Sequence, residues 1–116
     1  MMREGKIILP ASGNNGLDIS AAHDILRRDL IHSFGGYTSF TGRGAWMDGG
    51  KLYDEEVVIY TVATDVRLTK NSSNTALLHI AENAGRMAKQ LSVYLCDFDG
   101  VATIRDLSHS SARAAA

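Results

Sequence analysis

The stretch Leu52–Thr64 reads LYDEEVVIYTVAT and carries the strongest strand signal in the chain. β-Branched and aromatic residues dominate its second half, and such residues are typical of β-strands. Side-chain alternation divides its apolar residues between two faces: Val57, Ile59 and Ala63 on one, and Val58, Tyr60 and Val62 on the other. Both faces are therefore apolar, which predicts a central strand of a sheet that is covered on both sides.

The residues before this strand predict a strand, a helix and a second strand. Lys6–Pro10 is a short apolar run closed by proline, and the Asn- and Gly-rich segment Ala11–Asp18 follows it as a loop. Asp18 or Ser20 is placed to cap a helix that runs to about Phe34 and ends at two glycines. Tyr37–Trp46 (YTSFTGRGAW) then predicts a strand, and Asp48-Gly49-Gly50 predicts the hairpin turn into Leu52–Thr64.

A second helix and a short hairpin are predicted after this strand. Ser72 or Ser73 is the predicted N-cap of the helix, whose apolar residues recur at helical spacing as far as Leu91. Ser92–Phe98 is the next strand, and a two-residue turn at Asp99-Gly100 returns the chain into Val101–Arg105.

The order β-α-β-β-α-β is the ferredoxin-like pattern of an α+β protein. We expect a four-stranded antiparallel sheet with both helices on one face, the first and third strands at its centre and Tyr37–Trp46 at an edge. A short C-terminal hairpin completes a single domain over residues 1–107. Residues 108–116 are small and polar and predict a disordered tail.

Composition excludes several classes of protein. The 116 residues are 45% hydrophobic and 22% charged with a net charge of −1, and they contain no block of Lys and Arg, so a broad nucleic-acid surface is not expected. Cys96 is the single cysteine, which excludes an internal disulfide and fits a reducing compartment. No apolar run is long enough for a signal peptide or a membrane span, so we expect a cytoplasmic protein.

The run Asp97-Phe98-Asp99-Gly100 resembles the nucleophile loop of the haloacid-dehalogenase phosphatases, in which both aspartates hold magnesium. That chemistry needs further loops after the motif, with a Thr or Ser, a Lys and a second acidic pair, on a parallel sheet. After Asp99 the sequence has no room for them. The run is therefore interpreted as a β-turn.

A longer pattern joins FGGYTSF (Phe34–Phe40), GRGAW (Gly42–Trp46), DGGK (Asp48–Lys51), DEEVVIY (Asp54–Tyr60) and KQLSVYL (Lys89–Leu95). Together these segments resemble a family of small uncharacterised bacterial and phage proteins. The resemblance covers the chain from about residue 20 to residue 104. It implies a ferredoxin-like fold and supplies no catalytic residue.

The side chains capable of chemistry are scattered. The histidines, His23, His32, His79 and His109, have no metal-ligand spacing and are expected on solvated surfaces, so neither a metal nor a cofactor is predicted. Cys96 lies in an apolar strand and is expected in the core. Asp54 and Glu56 share one face of a strand, but near a strand end such a pair is expected in water. No catalytic residue is predicted.

The stretch TGRGAW suggests a site for an anion. Glycines on both sides of Arg43 leave room for a ligand, and the guanidinium group binds phosphate or carboxylate with directional hydrogen bonds. Tyr37 and Thr41 share the strand face of Arg43 and offer a ring and a hydroxyl group. The alternative is that Phe40 and Trp46 pack under the helices while Arg43 is merely exposed.

The doubly apolar strands predict self-association. Two helices cover only one face of a sheet, and a large apolar patch on the other face is rarely left in water. We therefore expect at least a homodimer, formed through Tyr60, Val58, Val62 and Tyr94.

These features favour a small non-enzymatic binding module that self-associates through its open sheet face. The resemblance to phage proteins implies that a phage or mobile element encodes it, which would place it in the host cytoplasm, and that it sequesters a nucleotide-like or anionic ligand or inhibits a host protein. Two alternatives remain open: a small enzyme of the dimeric α+β barrel type, and a structural subunit of an assembly.

Overall fold

The computed structural model describes residues 1–65 and 70–108. The predicted tail at 108–116 lies, apart from Ser108, outside the described residues. The elements are β1 Met2–Pro10, α1 Ser20–Phe34, β2 Thr38–Asp48, β3 Lys51–Asp65, α2 Lys70–Met87, β4 Ser92–Cys96 and β5 Ala102–Asp106, with a short 3₁₀ helix at Asn14–Gly16. Every predicted strand and helix is present, and β1 begins four residues before the predicted Lys6.

The sheet has five strands, not the predicted four, in the order β2-β3-β1-β4-β5, with every pair antiparallel. The predicted C-terminal hairpin supplies the fifth strand, because β5 pairs with β4 from Cys96–Ala102 to Ser92–Asp106. The central position of β1 and β3, the edge position of β2 and the α+β class are confirmed.

Glycines with positive φ lie at both hairpin turns. Asp48 pairs with Lys51, which leaves Gly49 and Gly50 at the tip with φ of 57° and 78°, as a type I′ turn requires. The turn before β5 is longer than the predicted two residues. The amide of Gly100 donates to the carbonyl of Asp97, and Gly100 has φ of 82°, which is a type I turn followed by a left-handed glycine.

The C-terminal end of α1 is as predicted, because Gly35 takes the left-handed C-cap conformation with φ of 84°. The predicted N-cap is wrong: Ile19 stands at that position and makes no side-chain cap hydrogen bond, while the carboxylate of Asp18, one residue earlier, accepts the amide of Ser20 at 2.9 Å. The predicted start of α2 is wrong by three or four residues, because an N-cap at Ser72 or Ser73 would begin the helix at Ser73 or Asn74. The helix begins at Lys70, so Ser72 and Ser73 lie within its first turn rather than at its N-cap.

Both helices cover one face of the sheet and enclose the core there. The buried strand residues on this face are Ile7, Leu9, Tyr60, Val62, Val93 and Leu95, and they pack against Leu26, Leu30, Leu77, Ile80, Ala81 and Ala84 of the helices. Gly5 of β1 lets α2 approach closely, since a Cβ atom there would lie 2.9 Å from Leu77 Cδ2.

The predicted interface residues divide between the two faces. Tyr60 and Val62 are buried beneath the helices, and Val58 packs against the same core, so their assignment to the open face is wrong. Tyr94 does lie on the open face, where it pairs with Ile8 and Ile104. Alternation separates the two sides of each strand, but only the register between strands shows which side the helices cover.

His23 is also placed differently from the prediction. Its side chain is not solvated, because the residue is only 6% exposed and both ring nitrogens are in hydrogen-bonding range of partners, the hydroxyl of Tyr60 and the carbonyl of Pro10. Neither helix within the described residues is long and apolar enough to cross a membrane.

Candidate functional site

An apolar row crosses all five strands on the face away from the helices. Ladder pairing sets its members side by side in the order Phe40, Ile59, Ile8, Tyr94 and Ile104. Residues paired across antiparallel strands point to the same side of the sheet, so these side chains form one continuous stripe. Phe40 and Ile104, at the two edges, are 52% and 72% exposed.

The strands β2 and β3 extend past the rest of the sheet as a two-stranded arm. The pairing of β1 with β3 ends at Pro10–Val57. Beyond it, Arg43–Asp48 and Lys51–Glu56 pair with one another up to the turn. Met47 and Leu52 are exposed on this arm, together with Trp46 and Tyr53.

A groove of about 650 Å³ lies where the arm meets the apolar row. Ile8, Val57, Ile59, Tyr94 and Ile104 supply apolar side chains to it, and Gln90 and Ser92 supply polar groups at the β4 side. Its arm side is formed by Arg43, Gly44, Ala45, Trp46, Met47, Asp48 and Glu55. The volume is within the range of about 300–1,000 Å³ that is usual for small-molecule sites.

Glu55 places a carboxyl group at this largely apolar groove. It pairs with Gly44 across the arm, so no side chain stands opposite it. Burial raises the pKa of Glu55 above its ordinary value, because the charged carboxylate loses hydration there. A cation bound in the groove would relieve that cost.

Arg43, the centre of the predicted anion site, has its guanidinium group paired with Asp54 at 2.9 Å, and both side chains are exposed. Arg43 also contributes to the lining of the groove. The space that Gly42 and Gly44 leave is on the opposite face of β2, because neighbouring residues of a strand point to opposite sides. On that face Ile59, Val57 and Trp46 pack against the two glycines, so the glycines clear no room beside the guanidinium group.

The other two residues of the predicted site do not join Arg43. Tyr37 lies just before β2 with its ring 5.7 Å from that of Tyr60, and it lines a separate cavity of about 340 Å³ with Phe34 and Glu4. Thr41 is exposed on β2 and lines neither cavity.

Three further side chains differ from expectation. Phe40 and Trp46 do not pack under the helices, since they lie on the open face and are about half exposed. Cys96 is half-buried on the same face and is not part of the core. Trp46 lies on the two-stranded arm, whose length relative to β1 was not foreseeable from alternation alone, whereas Phe40 lies on the open face of the edge strand β2.

The aspartates of the Asp97–Gly100 turn are occupied by structural bonds. Asp97 Oδ1 accepts the amides of Asp99 and Val101, while Asp99 is paired with Arg3 and accepts from the Asn74 side chain. Within residues 1–65 and 70–108, no three His, Cys, Asp or Glu side chains meet in a way that could hold a metal ion.

Comparison with known proteins identifies the fold. No protein-family model matches the chain, and no curated protein matches its sequence. A phage S-adenosylmethionine (SAM) lyase in complex with S-methyl-5′-thioadenosine superposes with a TM-score of 0.70 at 16% identity, covering 90% of this chain and 89% of that one. The apo form of a phage SAM lyase gives 0.63 at 17% identity, covering 86% and 82%.

The divalent cation tolerance protein CutA1 of Thermus thermophilus has the same architecture, with a TM-score of 0.53 at 10% identity, covering 89% of this chain and 82% of that one. At such low identities these similarities establish the fold alone. The resemblance to small bacterial and phage proteins is thus met in part, since a phage protein shares the fold while no family model matches.

Proposed function

We propose that this chain binds an adenine nucleoside with a sulfur-linked side chain, of the kind represented by S-methyl-5′-thioadenosine and SAM, in the groove on its open sheet face. The observation that carries the proposal is the groove itself, which combines an apolar floor with the carboxyl group of Glu55. The fold shared with a phage SAM lyase along nearly the whole of both chains supports this choice of ligand.

The chemistry of such a ligand suits the lining of the groove. A thioether and its methyl group are apolar and match Val57, Ile59 and Ile8. A sulfonium centre or an ammonium group is cationic and would be stabilised by Glu55. Ribose hydroxyl groups need hydrogen-bond partners, which Gln90 and Ser92 offer at the other side.

A second candidate function is cleavage of the sulfonium compound, favoured by the lyase activity of the structural neighbour. Breaking one carbon–sulfur bond leaves both electrons on sulfur and gives a neutral thioether. The carbon that loses sulfur must then be attacked by a carboxylate of the same substrate, or a double bond must form by loss of a neighbouring proton. Glu55 is the candidate acceptor for that proton.

The proposal includes self-association through the open face, as the apolar row and the arm suggest. A two-stranded arm with exposed apolar residues on it is only marginally stable alone, so docking against a second copy would stabilise it. Both sheet edges, β2 and β5, expose strand backbone suited to pairing. The groove would then lie at the interface between copies, in the cytoplasm of the cell or of a phage-infected host.

Calorimetric titration of the full chain with S-methyl-5′-thioadenosine and with SAM tests the proposal. We expect saturable binding of both. Glu55→Gln should weaken binding of SAM about tenfold, which corresponds to the loss of about 1.4 kcal/mol of attraction between the carboxylate and the cationic sulfonium, and should change binding of S-methyl-5′-thioadenosine less. Glu56→Gln is the matched control, because Glu56 is the next residue of the strand and points to the other face.

Absence of binding by either compound would overturn the proposal. Chromatography of the SAM reaction separates the two candidate functions. Release of S-methyl-5′-thioadenosine in proportion to protein, lost in Glu55→Gln, identifies a lyase, whereas binding without release identifies a sequestering protein.

A further inference from the structure

Trp46 presents an aromatic ring at the groove with one face already supported. It is the single tryptophan of the chain and is 47% exposed. Its cross-strand partner is Tyr53, whose ring is nearly parallel at 11° with the centroids 5.7 Å apart. The ammonium group of Lys51 lies 5.0 Å from the centre of the Tyr53 ring and adds a cation–π contact. The indole is therefore held in place on the arm before any ligand binds.

Two glycines let neighbouring side chains approach the backbone of β2 beside this ring. A Cβ atom at Gly44 would lie 4.0 Å from Trp46 Cζ3 and 3.5 Å from Val57 Cγ1, so the indole lies back along its own strand towards the groove floor. A Cβ atom at Gly42 would come within 3.1 Å of Ile59 Cδ1. On the face where Trp46 lies, Ile59, Val57 and the indole therefore already pack against the β2 backbone at Gly42 and Gly44.

We propose that the indole of Trp46, which is half-exposed and lines the groove, is the surface on which the purine base of the ligand stacks. This inference rests on the proposed function and names the group that would recognise the adenine ring. Stacking suits every purine, because each has an aromatic face, so the site would select a planar base rather than a particular hydrogen-bonding pattern. A ring that Tyr53 already holds loses little conformational freedom on binding.

Intrinsic fluorescence reports directly on the inference, because all tryptophan emission comes from Trp46. S-Methyl-5′-thioadenosine and adenosine should quench or shift that emission with saturation. The compound 5-methylthioribose, which keeps the sulfur side chain and lacks the base, should leave it unchanged.

Calorimetry on substituted proteins provides the second test of the inference. Trp46→Leu should weaken binding of S-methyl-5′-thioadenosine about ten- to a hundredfold, and Trp46→Phe, which keeps an aromatic ring, should stay within about threefold of wild type. Phe40→Leu is the matched control, since it removes another half-exposed aromatic ring from the same face of β2.

The outcomes separate the inference from the proposed function. If the wild type binds the nucleoside while Trp46→Leu binds equally well and the emission does not change, the stacking surface is elsewhere and only the inference fails. If no nucleoside binds the wild type, both fail. Emission that changes with protein concentration and not with ligand would show that a second copy covers Trp46, which also overturns the inference.

Discussion

The Nδ1 atom of His23 lies 2.6 Å from the hydroxyl oxygen of Tyr60, and its Nε2 atom lies 2.8 Å from the carbonyl oxygen of Pro10. A carbonyl oxygen only accepts, so in the neutral ring Nε2 carries the proton and Nδ1 accepts the Tyr60 hydroxyl proton. Burial raises the pKa of Tyr60, which keeps that hydroxyl protonated. The network ties α1 to β3 and to the end of β1, directly behind the groove.

Replacing Tyr60 with Phe removes the hydroxyl group and leaves the buried Nδ1 atom of His23 without its donor. We expect the free energy of unfolding to fall by about 1–3 kcal/mol, the usual cost of an unsatisfied buried polar atom. Urea unfolding measures the change. Tyr53→Phe is the control, because Tyr53 is exposed on the arm, and equal stability of the two variants would contradict the assigned role of Tyr60.

Gly85 is the point of closest approach between α2 and the end of the sheet. A Cβ atom there would lie 2.6 Å from Leu107 Cδ1 and 3.2 Å from Val93 Cβ. Gly85→Ala should therefore destabilise the fold by about 1–3 kcal/mol, although alanine favours the helix itself by about 1 kcal/mol. Gly36→Ala, which meets nothing within 4 Å, should be nearly neutral in the same thermal unfolding measurement.

The Asp97 side chain organises the turn before β5 through one oxygen atom, which accepts the amides of Asp99 and Val101. Asp97→Asn keeps an oxygen acceptor and should change stability by less than about 0.5 kcal/mol. Asp97→Ala removes it and should cost about 1–2 kcal/mol, as loss of a comparable cap does. Thermal unfolding of both variants checks this, and equal stability would show that the carboxylate is dispensable to the turn.

The strands and helices were predictable because β-branched runs and glycines act locally, as Gly35 shows at the end of α1. The assignment of faces was not, because it depends on which residue of β1 stands beside which residue of β3. A shift of one residue in that register would turn the Tyr60 side chain from the open face to the core. His23 was predictable only in part: it lies four residues after the buried Ile19 and three before the buried Leu26, on the same helix face, but its two partners come from distant strands.

The groove was hidden from the sequence for a related reason. It exists because β1 ends at Pro10 while β3 continues to the turn at Gly49 and Gly50. Proline marks that end in the sequence, but the partner residue Val57 is known only from the structure. Glu55 can be recognised as a residue of the groove only once the structure shows that β1 does not extend alongside the arm.

Stability should depend on pH through Glu55. Its pKa is raised by burial above the ordinary value of 4.5, so the folded chain binds this proton more tightly than the unfolded chain. The resulting contribution to stability is complete below the ordinary pKa and is lost as the pH rises through the raised value. We therefore expect Glu55→Gln to gain thermal stability relative to wild type as the pH rises from about 4.5 towards neutral. A constant difference across that range would contradict the assignment.

Self-association through the open face is best tested at Ile104, which ends the apolar row on β5 and is 72% exposed. We expect light scattering to show at least a dimer at micromolar concentration. Ile104→Asp would place a charge in the proposed interface without a partner and should raise the dissociation constant at least tenfold, since a buried unpaired charge costs well over about 1.4 kcal/mol.

Ile31→Asp is the matched control for this prediction. Ile31 is also an exposed isoleucine, but it lies on α1, on the layer opposite the open face, so its change should leave the particle mass as it is in wild type. Circular dichroism of both variants confirms that each remains folded. A wild-type particle with the mass of one chain would contradict the proposal outright, because the apolar row from Phe40 to Ile104 would then stand in water. If folded Ile104→Asp instead keeps the particle mass of wild type, the interface lies away from the β5 edge, towards the arm.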